Sequence, residues 1–179
     1  MSKSNDVATF HDMAGQPVNI EPTLPDMKAI RFRQHFLLEE VIEGFEALLK
    51  DDSRSLDLIV KALKEAQHHT YRIQESEIQL NTNDFLDHLV DIEYVLHGTA
   101  HYYGLPLEKA FDEVHSKNMT RFPVTAEDLK ATLLKAEKEG VAVTTHFNNY
   151  HQRWAVIRDD NGKLYKNANF VEPDFSQLL

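Results

Sequence analysis

Residues 31–50 read RFRQHFLLEEVIEGFEALLK and set Glu39, Glu40, Glu43 and Glu46 inside an otherwise apolar run. Straight-chain residues dominate the stretch, which predicts one long helix. At about 100° per residue, Glu39, Glu43 and Glu46 fall within roughly 60° of one another, with Glu40 on the adjoining shoulder. Such a stripe can be a solvated face, or it can hold a hard divalent cation through carboxylate oxygens. A second acidic set lies at residues 83–104, NDFLDHLVDIEYVLHGTAHYYG. There Asp84, Asp87 and Asp91 share one arc, with His88 at its edge, while Leu86, Leu89, Val90, Ile92, Val95 and Leu96 fill the rest. A helix apolar nearly all round is expected to be buried, so its acids must face water, a polar interior or a metal. Unneutralised carboxylates about 4 Å apart repel by on the order of 4 kcal/mol at an effective dielectric near 20. Grouping them in a packed interior therefore requires cations or protonation.

The elements that position these groups are mostly helical. Residues 5–13 are predicted as a short helix capped by Asn5 or Asp6. Residues 14–25 carry Gly15, Pro17, Pro22 and Pro25 and read as an extended loop. Asp26 then caps the long helix, whose end is expected near the polar DDSRS at 51–55. A second helix is predicted over 55–68, while 68–82 is ambiguous between frayed helix and loop. The helix at 83–104 closes on Gly104, before Pro106. Residues 106–118 begin with proline at a helix start, and 125–139 open with the capping-box pair Thr125 and Asp128 and stop at Gly140. In WAVIRDDNGKLYKN, residues 154–167, alternating runs flank Asn161-Gly162 and predict a hairpin. The expectation is an all-α, four-helix-type bundle with a small C-terminal β-hairpin. It forms one domain over 1–179, with a core at 5–122 and an extension at 123–179.

Composition narrows the function. The chain has 179 residues and a net charge of −10, which repels a polyanion, and no basic stripe suggests duplex nucleic acid as a partner. A small phosphate ligand would need a bridging cation. With no cysteine there is neither a disulfide nor a thiolate metal site. No apolar run reaches the roughly 18 residues that a membrane span needs. MSKSNDVATF lacks the apolar core of a secretory signal, so a cytoplasmic location is expected.

The ordered motifs resemble the all-α nucleoside triphosphate pyrophosphohydrolases, a superfamily that includes MazG, the dimeric dUTPases and phosphoribosyl-ATP pyrophosphohydrolase. EEVIE (Glu39, Glu40, Glu43) is similar to its EExxE, and DHLVDIEYVLHGTA to its second core helix with ExxD. RFRQHFLLEE is similar to the family's lead-in to the first motif, and EVHSKNM resembles its next helix. FHDMAGQP and DDNGKLYKNANFVEPDF are similar to the ends of the MazG-like, dimeric-dUTPase-like branch. The resemblance implies Mg2+-dependent hydrolysis of a nucleoside triphosphate to monophosphate and pyrophosphate, with Mn2+ as a substitute. By position, Glu40, Glu43 and Asp91 would be metal ligands and Glu39 would activate the attacking water. Asn118 would contact the nucleotide and Arg121 a phosphate. His11 would line the base pocket. One departure stands out: His88 occupies the place of the expected glutamate. Either His88 ligates the metal or Asp87 does, and Asp87 is favoured because it shares a face with Asp91 and Mg2+ prefers oxygen.

Other groups have competing roles. Glu93, His97 and His101 have metal-like spacing but also suit hydrogen bonding or subunit contact. Trp154, Tyr150, Phe170 and Phe175 are expected to pin the tail rather than bind a base. A carboxylate-bridged di-iron bundle needs two Glu-x-x-His copies, and the chain offers Asp112-x-x-His115 without a second. A non-catalytic helical interaction module, with purely superficial acids, is the remaining alternative. The apolar helix at 83–104 exceeds what a small bundle can cover, so a homodimer or homotetramer is expected.

Overall fold

The structure, a computed structural model, describes residues 2–48, 54–79 and 81–179. Among these, six helices run in order, α1 (Lys3–Met13), α2 (Met27–Leu48), α3 (Arg54–His69), α4 (Thr82–Tyr103), α5 (Leu107–Met119) and α6 (Ala126–Lys138), followed by strands β1 (Val143–Asn148) and β2 (Arg153–Arg158). The chain is thus mostly helical with one small antiparallel sheet. It divides into two compact units, residues 21–88 and residues 1–20 with 89–179. No described helix is long and apolar enough to cross a membrane.

In the unit formed by residues 21–88, α2 and α3 pair as an antiparallel hairpin. Asp26 caps α2 as the sequence predicts, its Oδ1 accepting the Ala29 amide at 2.7 Å. Ile42 and Val60 are the buried apolar contacts, and polar groups extend the pairing. Gln67 Nε2 donates to the His35 carbonyl at 3.4 Å. Arg31 donates to the Ile73 carbonyl from Nε at 2.9 Å and from Nη2. The ambiguous stretch after α3 resolves into two short 3-10 turns, Thr70–Arg72 and Glu75–Glu77. The expected stop of the long helix falls largely on residues 49–53, outside the described residues.

The other unit is built around β2. Ala155 and Val156 are adjacent in sequence and fully buried, and alternation along the strand sends them to opposite faces. Ala155 joins Met13, Ala14 and Phe122 beside Phe10 and Met119. Val156 joins Ala136 and Tyr165 beside Leu129 and Val143. The hairpin therefore lies between α1 with the end of α5 on one side and α6 on the other. Thr125 and Asp128 form the predicted capping box at the start of α6. At the end of α1, the amides of Gly15 and Gln16 donate to the carbonyls of Asp12 and His11. Gly15 takes φ 69°, and a Cβ there would lie 3.0 Å from His146 Cδ2, so glycine is required twice over.

Several expectations are corrected. Helix α1 starts at Lys3, with Ser2 rather than Asn5 or Asp6 as its cap. Asn5 instead donates its amide to Ser2 Oγ. The hairpin pairs 143–148 with 153–158 and turns at 149–152. Asn148 Oδ1 accepts the amides of Tyr150 and His151 there, and Gln152 takes φ 53°. Asn161-Gly162 does turn the chain, but past it only an isolated Ile157–Leu164 bridge forms. Beyond that bridge the chain commits to side-chain anchors at Asn167 instead of a further strand. Tyr150 does not pin the tail as expected: it is 87% exposed, and its ring meets that of its neighbour His151 edge-on. Trp154 does pack as expected, on Phe147. The largest correction concerns α4, expected to be buried. Phe85, Leu86, Leu89, Val90, Ile92, Tyr94, Val95 and Leu96 are all exposed, and Ala100 is its buried residue. Hydrophobic periodicity shows that a face needs cover, not that the same chain provides it.

Tyr165 is buried and donates its hydroxyl to Glu139 Oε2 at 2.6 Å. Burial first, then this hydrogen bond to a carboxylate, push its pKa up to about 12. The native state thus keeps the proton that the unfolded chain loses near pH 10. Its stabilising contribution is complete below about pH 10 and is lost as pH rises towards about 12. Thermal unfolding between pH 9 and 12 should show a steeper alkaline decline for the wild type than for Tyr165→Phe.

Candidate functional site

The first acidic stripe lies where the sequence places it, on α2. Glu39 is half-buried, while Glu40, Glu43 and Glu46 are exposed. Glu46 is neutralised by Lys64 of α3, which sets it apart as a superficial ion pair. The α2–α3 packing fixes the helix through Ile42, one residue before Glu43.

On α4 the structure brings together Asp87, His88 and Asp91. One ligand atom from each lies within 4.8 Å of the others, and all three side chains are exposed. Helical geometry produces this, since Asp91 adjoins Asp87 four positions earlier and His88 three positions earlier on the helix surface. Among the described residues this is the group of three or more such side chains close enough to share a cation. Its donors, two carboxylates and an imidazole, suit a divalent cation, and the carboxylates suit a hard one. Asp84, a turn earlier, accepts instead from Asn81 Nδ2 at 2.6 Å, within the helix cap. Both Asp87 and His88 are thus available beside Asp91.

The remaining candidates fall near the C-terminal end of α5 and on α1. Asn118 is half-buried in the last turn of α5, and its carbonyl accepts the Arg121 amide at 3.0 Å. The Arg121 Nε is buried and has no hydrogen-bond partner. Burial lowers the pKa of this guanidinium, while the charge of Glu172 acts in the opposite sense. His11, on α1, is half-buried beside Phe10, whose ring meets Phe122 edge-on at 5.2 Å. Asp112 and His115 are not among the converging metal-type groups; the His115 ring stacks parallel to Phe111. His97 lies 4.0 Å from Glu93 and 3.8 Å from Glu108, in a superficial charge cluster that includes Lys3. Lys3 holds the exposed Glu108 carboxyl below its usual range, chiefly through their hydrogen bond. Sequence reasoning missed the setting of Arg121: its guanidinium lies over the ring of Phe170, 5.0 Å from the centroid. No local pattern joins those positions.

The chain is mostly helical, with acidic stripes on α2 and α4 and three side chains on α4 close enough to share a cation. The family model for phosphoribosyl-ATP pyrophosphohydrolase matches residues 7–118, and the chain belongs to that family, within the MazG-like superfamily. The matched span contains α2, α4 and nearly all of α5, but ends before α6 and the sheet. The chain is also similar to an uncharacterised protein of Acanthamoeba polyphaga mimivirus, at 26% identity over 125 residues. That alignment covers 67% of this chain and 50% of the viral protein, so the chain spans about half of that relative's length. No solved structure matches.

Asp87 and Asp91 form an i, i+4 pair of like charges, which costs about 0.2–0.5 kcal/mol on an exposed helix. In chelator-treated protein, Asp87→Asn should therefore leave the melting temperature unchanged or slightly raised. With Mg2+ or Mn2+ added, the variant should show a smaller stabilisation than the wild type. An undiminished metal-induced shift would exclude Asp87 as a ligand and leave His88 with Asp91.

Proposed function

We propose that this chain hydrolyses a nucleoside triphosphate to its monophosphate and pyrophosphate with the help of a divalent cation, in the housekeeping of cytoplasmic nucleotide pools. The observation that carries the reading is the convergence of Asp87, His88 and Asp91 inside the family-matched span that also holds Glu39, Glu40 and Glu43. Glu40, Glu43, Asp91 and Asp87, with His88 as the alternative to Asp87, are the proposed holders of Mg2+ or Mn2+. When bound, the cation neutralises phosphate charge and favours attack by water.

The chain's own residues do the remaining work. Glu39 orients a water molecule and accepts its proton as the oxygen attacks the α-phosphorus. The new phosphorus–oxygen bond forms as the bond to the bridging β-oxygen breaks, and pyrophosphate leaves with the electron pair. The half-buried setting of Glu39 suits a base that must be partly screened from bulk solvent. Arg121 supplies a fixed positive charge to a phosphate, Asn118 contacts the nucleotide, and His11 lines the base side.

The working form on this reading is a homodimer or homotetramer. Tyr94 at 79% and Val95 at 65% exposure belong to a continuous apolar helix surface. Large exposed apolar surfaces of this kind mark interaction sites, and a second copy offers a matching one. Duplex nucleic acid is disfavoured by the net charge of −10.

Pyrophosphate release should be measured across canonical and modified nucleotides with Mg2+. Glu39→Gln should lower turnover by about 10²-fold or more. Glu40→Gln should abolish it without lowering the metal-free melting temperature. Release from no nucleotide, or full activity in Glu40→Gln, would sink the reading. For the assembly, Val95→Asp should leave each chain folded and shift the molecular mass measured by light scattering towards that of a monomer.

A further inference from the structure

The segment DDNGKLYKNANFVEPDF, residues 159–175, lies beyond the family-matched span and has no part in the chemistry above. It is nevertheless strapped to the end of α5 and to α6. Asn167 Nδ2 donates to the Thr120 carbonyl at 3.3 Å, and Asn167 Oδ1 accepts from Thr132 Oγ1 at 3.0 Å. Further on, the Asp174 amide donates to Glu113 Oε1 at 3.3 Å. Between these anchors stands Phe170, whose ring centroid is 5.0 Å from Arg121 Cζ and 5.0 Å from Lys166 Nζ. The two cations differ in what else they meet. Lys166 is neutralised by Glu172 in an ion pair. Arg121 meets the Phe170 face, and its buried Nε has no acceptor among the described residues.

A buried guanidinium N–H without an acceptor is unfavourable on its own. An aromatic face compensates in part by cation–π attraction and fixes the guanidinium plane without consuming its N–H donors. The Nη donors then remain for a ligand with two acceptor oxygens on one centre, the geometry of a phosphate. We propose that Phe170 is a positioning residue of the nucleotide site, clamping the Arg121 plane so that its donors meet a substrate phosphate. The C-terminal segment is on this view part of the binding site, acting through Arg121. The inference rests on the proposed role of Arg121 in holding phosphate.

Titration calorimetry with inorganic tripolyphosphate and Mg2+ tests it without requiring turnover. Phe170→Leu should weaken binding about five- to tenfold, within the range a cation–π contact supports. Phe170→Tyr, which keeps the ring face, should bind like the wild type. Arg121→Ala should weaken binding at least as much, and adding Phe170→Leu to it should cause no further loss. The Nε–Hε cross-peak of Arg121 in the ligand-free protein gives a second readout. It should be protected from solvent exchange in the wild type and Phe170→Tyr, and lost in Phe170→Leu. Phe170→Met, which keeps the packing volume, replaces Phe170→Leu if that variant does not fold. Wild-type binding that survives Phe170→Leu and Phe170→Met, losses that add in the double variant, or no tripolyphosphate binding at all would overturn the proposal. If these binding results hold but no nucleotide is hydrolysed, the proposed reaction falls and the clamp stands.

Discussion

Helix α4 must keep Asp87, His88 and Asp91 hydrated or bound to a cation while most of its remaining surface is hydrocarbon. The two demands conflict. Covering the apolar residues lowers the local dielectric, and a lower dielectric strengthens the repulsion between the two carboxylates. In the single chain the conflict is settled in favour of the acids, since the whole stretch from Asn81 to Leu96 is exposed. That leaves Leu86, Val90, Ile92 and Val95 in water, a cost that stable monomers generally avoid. On the proposed reading, a second copy supplies the cover that this helix lacks.

The two compact units each hold part of the candidate machinery. Residues 21–88 hold the EEVIE stripe through Ile42 and Val60 and through hydrogen bonds from Arg31 and Gln67 to main-chain carbonyls. The other unit places Asn118 and Arg121 at the end of α5, and buries Phe122 directly behind them. Because β2 is buried on both faces, the hairpin and α6 are structural partners of α1 and α5 rather than appendages. Residues outside the matched span therefore contribute to the stability of residues within it.

How much of this was legible in the sequence depended on how local the controlling interaction was. Asp26, the Thr125–Asp128 box and Gly104 each act within one helical turn, and the boundaries they predict are observed. The acidic stripes were legible for the same reason, since helical periodicity alone aligns Asp87 with Asp91. Strand β1, with Thr144, Thr145 and His146, was missed because its pairing with β2 is decided by the Asn148 turn and by the two-sided core. The Asn161-Gly162 turn was seen, but the anchors at Thr132 and Thr120 that divert the chain after it were not. The contact of Arg121 with Phe170 is wholly tertiary, and no spacing rule reaches it.

Under the proposed function, the exposed helix and its acids would make assembly and cation binding two halves of one equilibrium. On the proposed reading, a second copy that covers Val90, Ile92 and Val95 gains hydrophobic free energy, roughly 25 cal/mol for each Å² removed from water. The same cover raises the cost of leaving Asp87 and Asp91 unneutralised, because their repulsion scales inversely with the effective dielectric. A cation bound between them removes that cost, so it binds the assembled form more tightly than the free chain. By linkage, the assembled form must be favoured by the cation to the same degree. The acids would then do more than hold a metal for chemistry: they would make the completed assembly dependent on it.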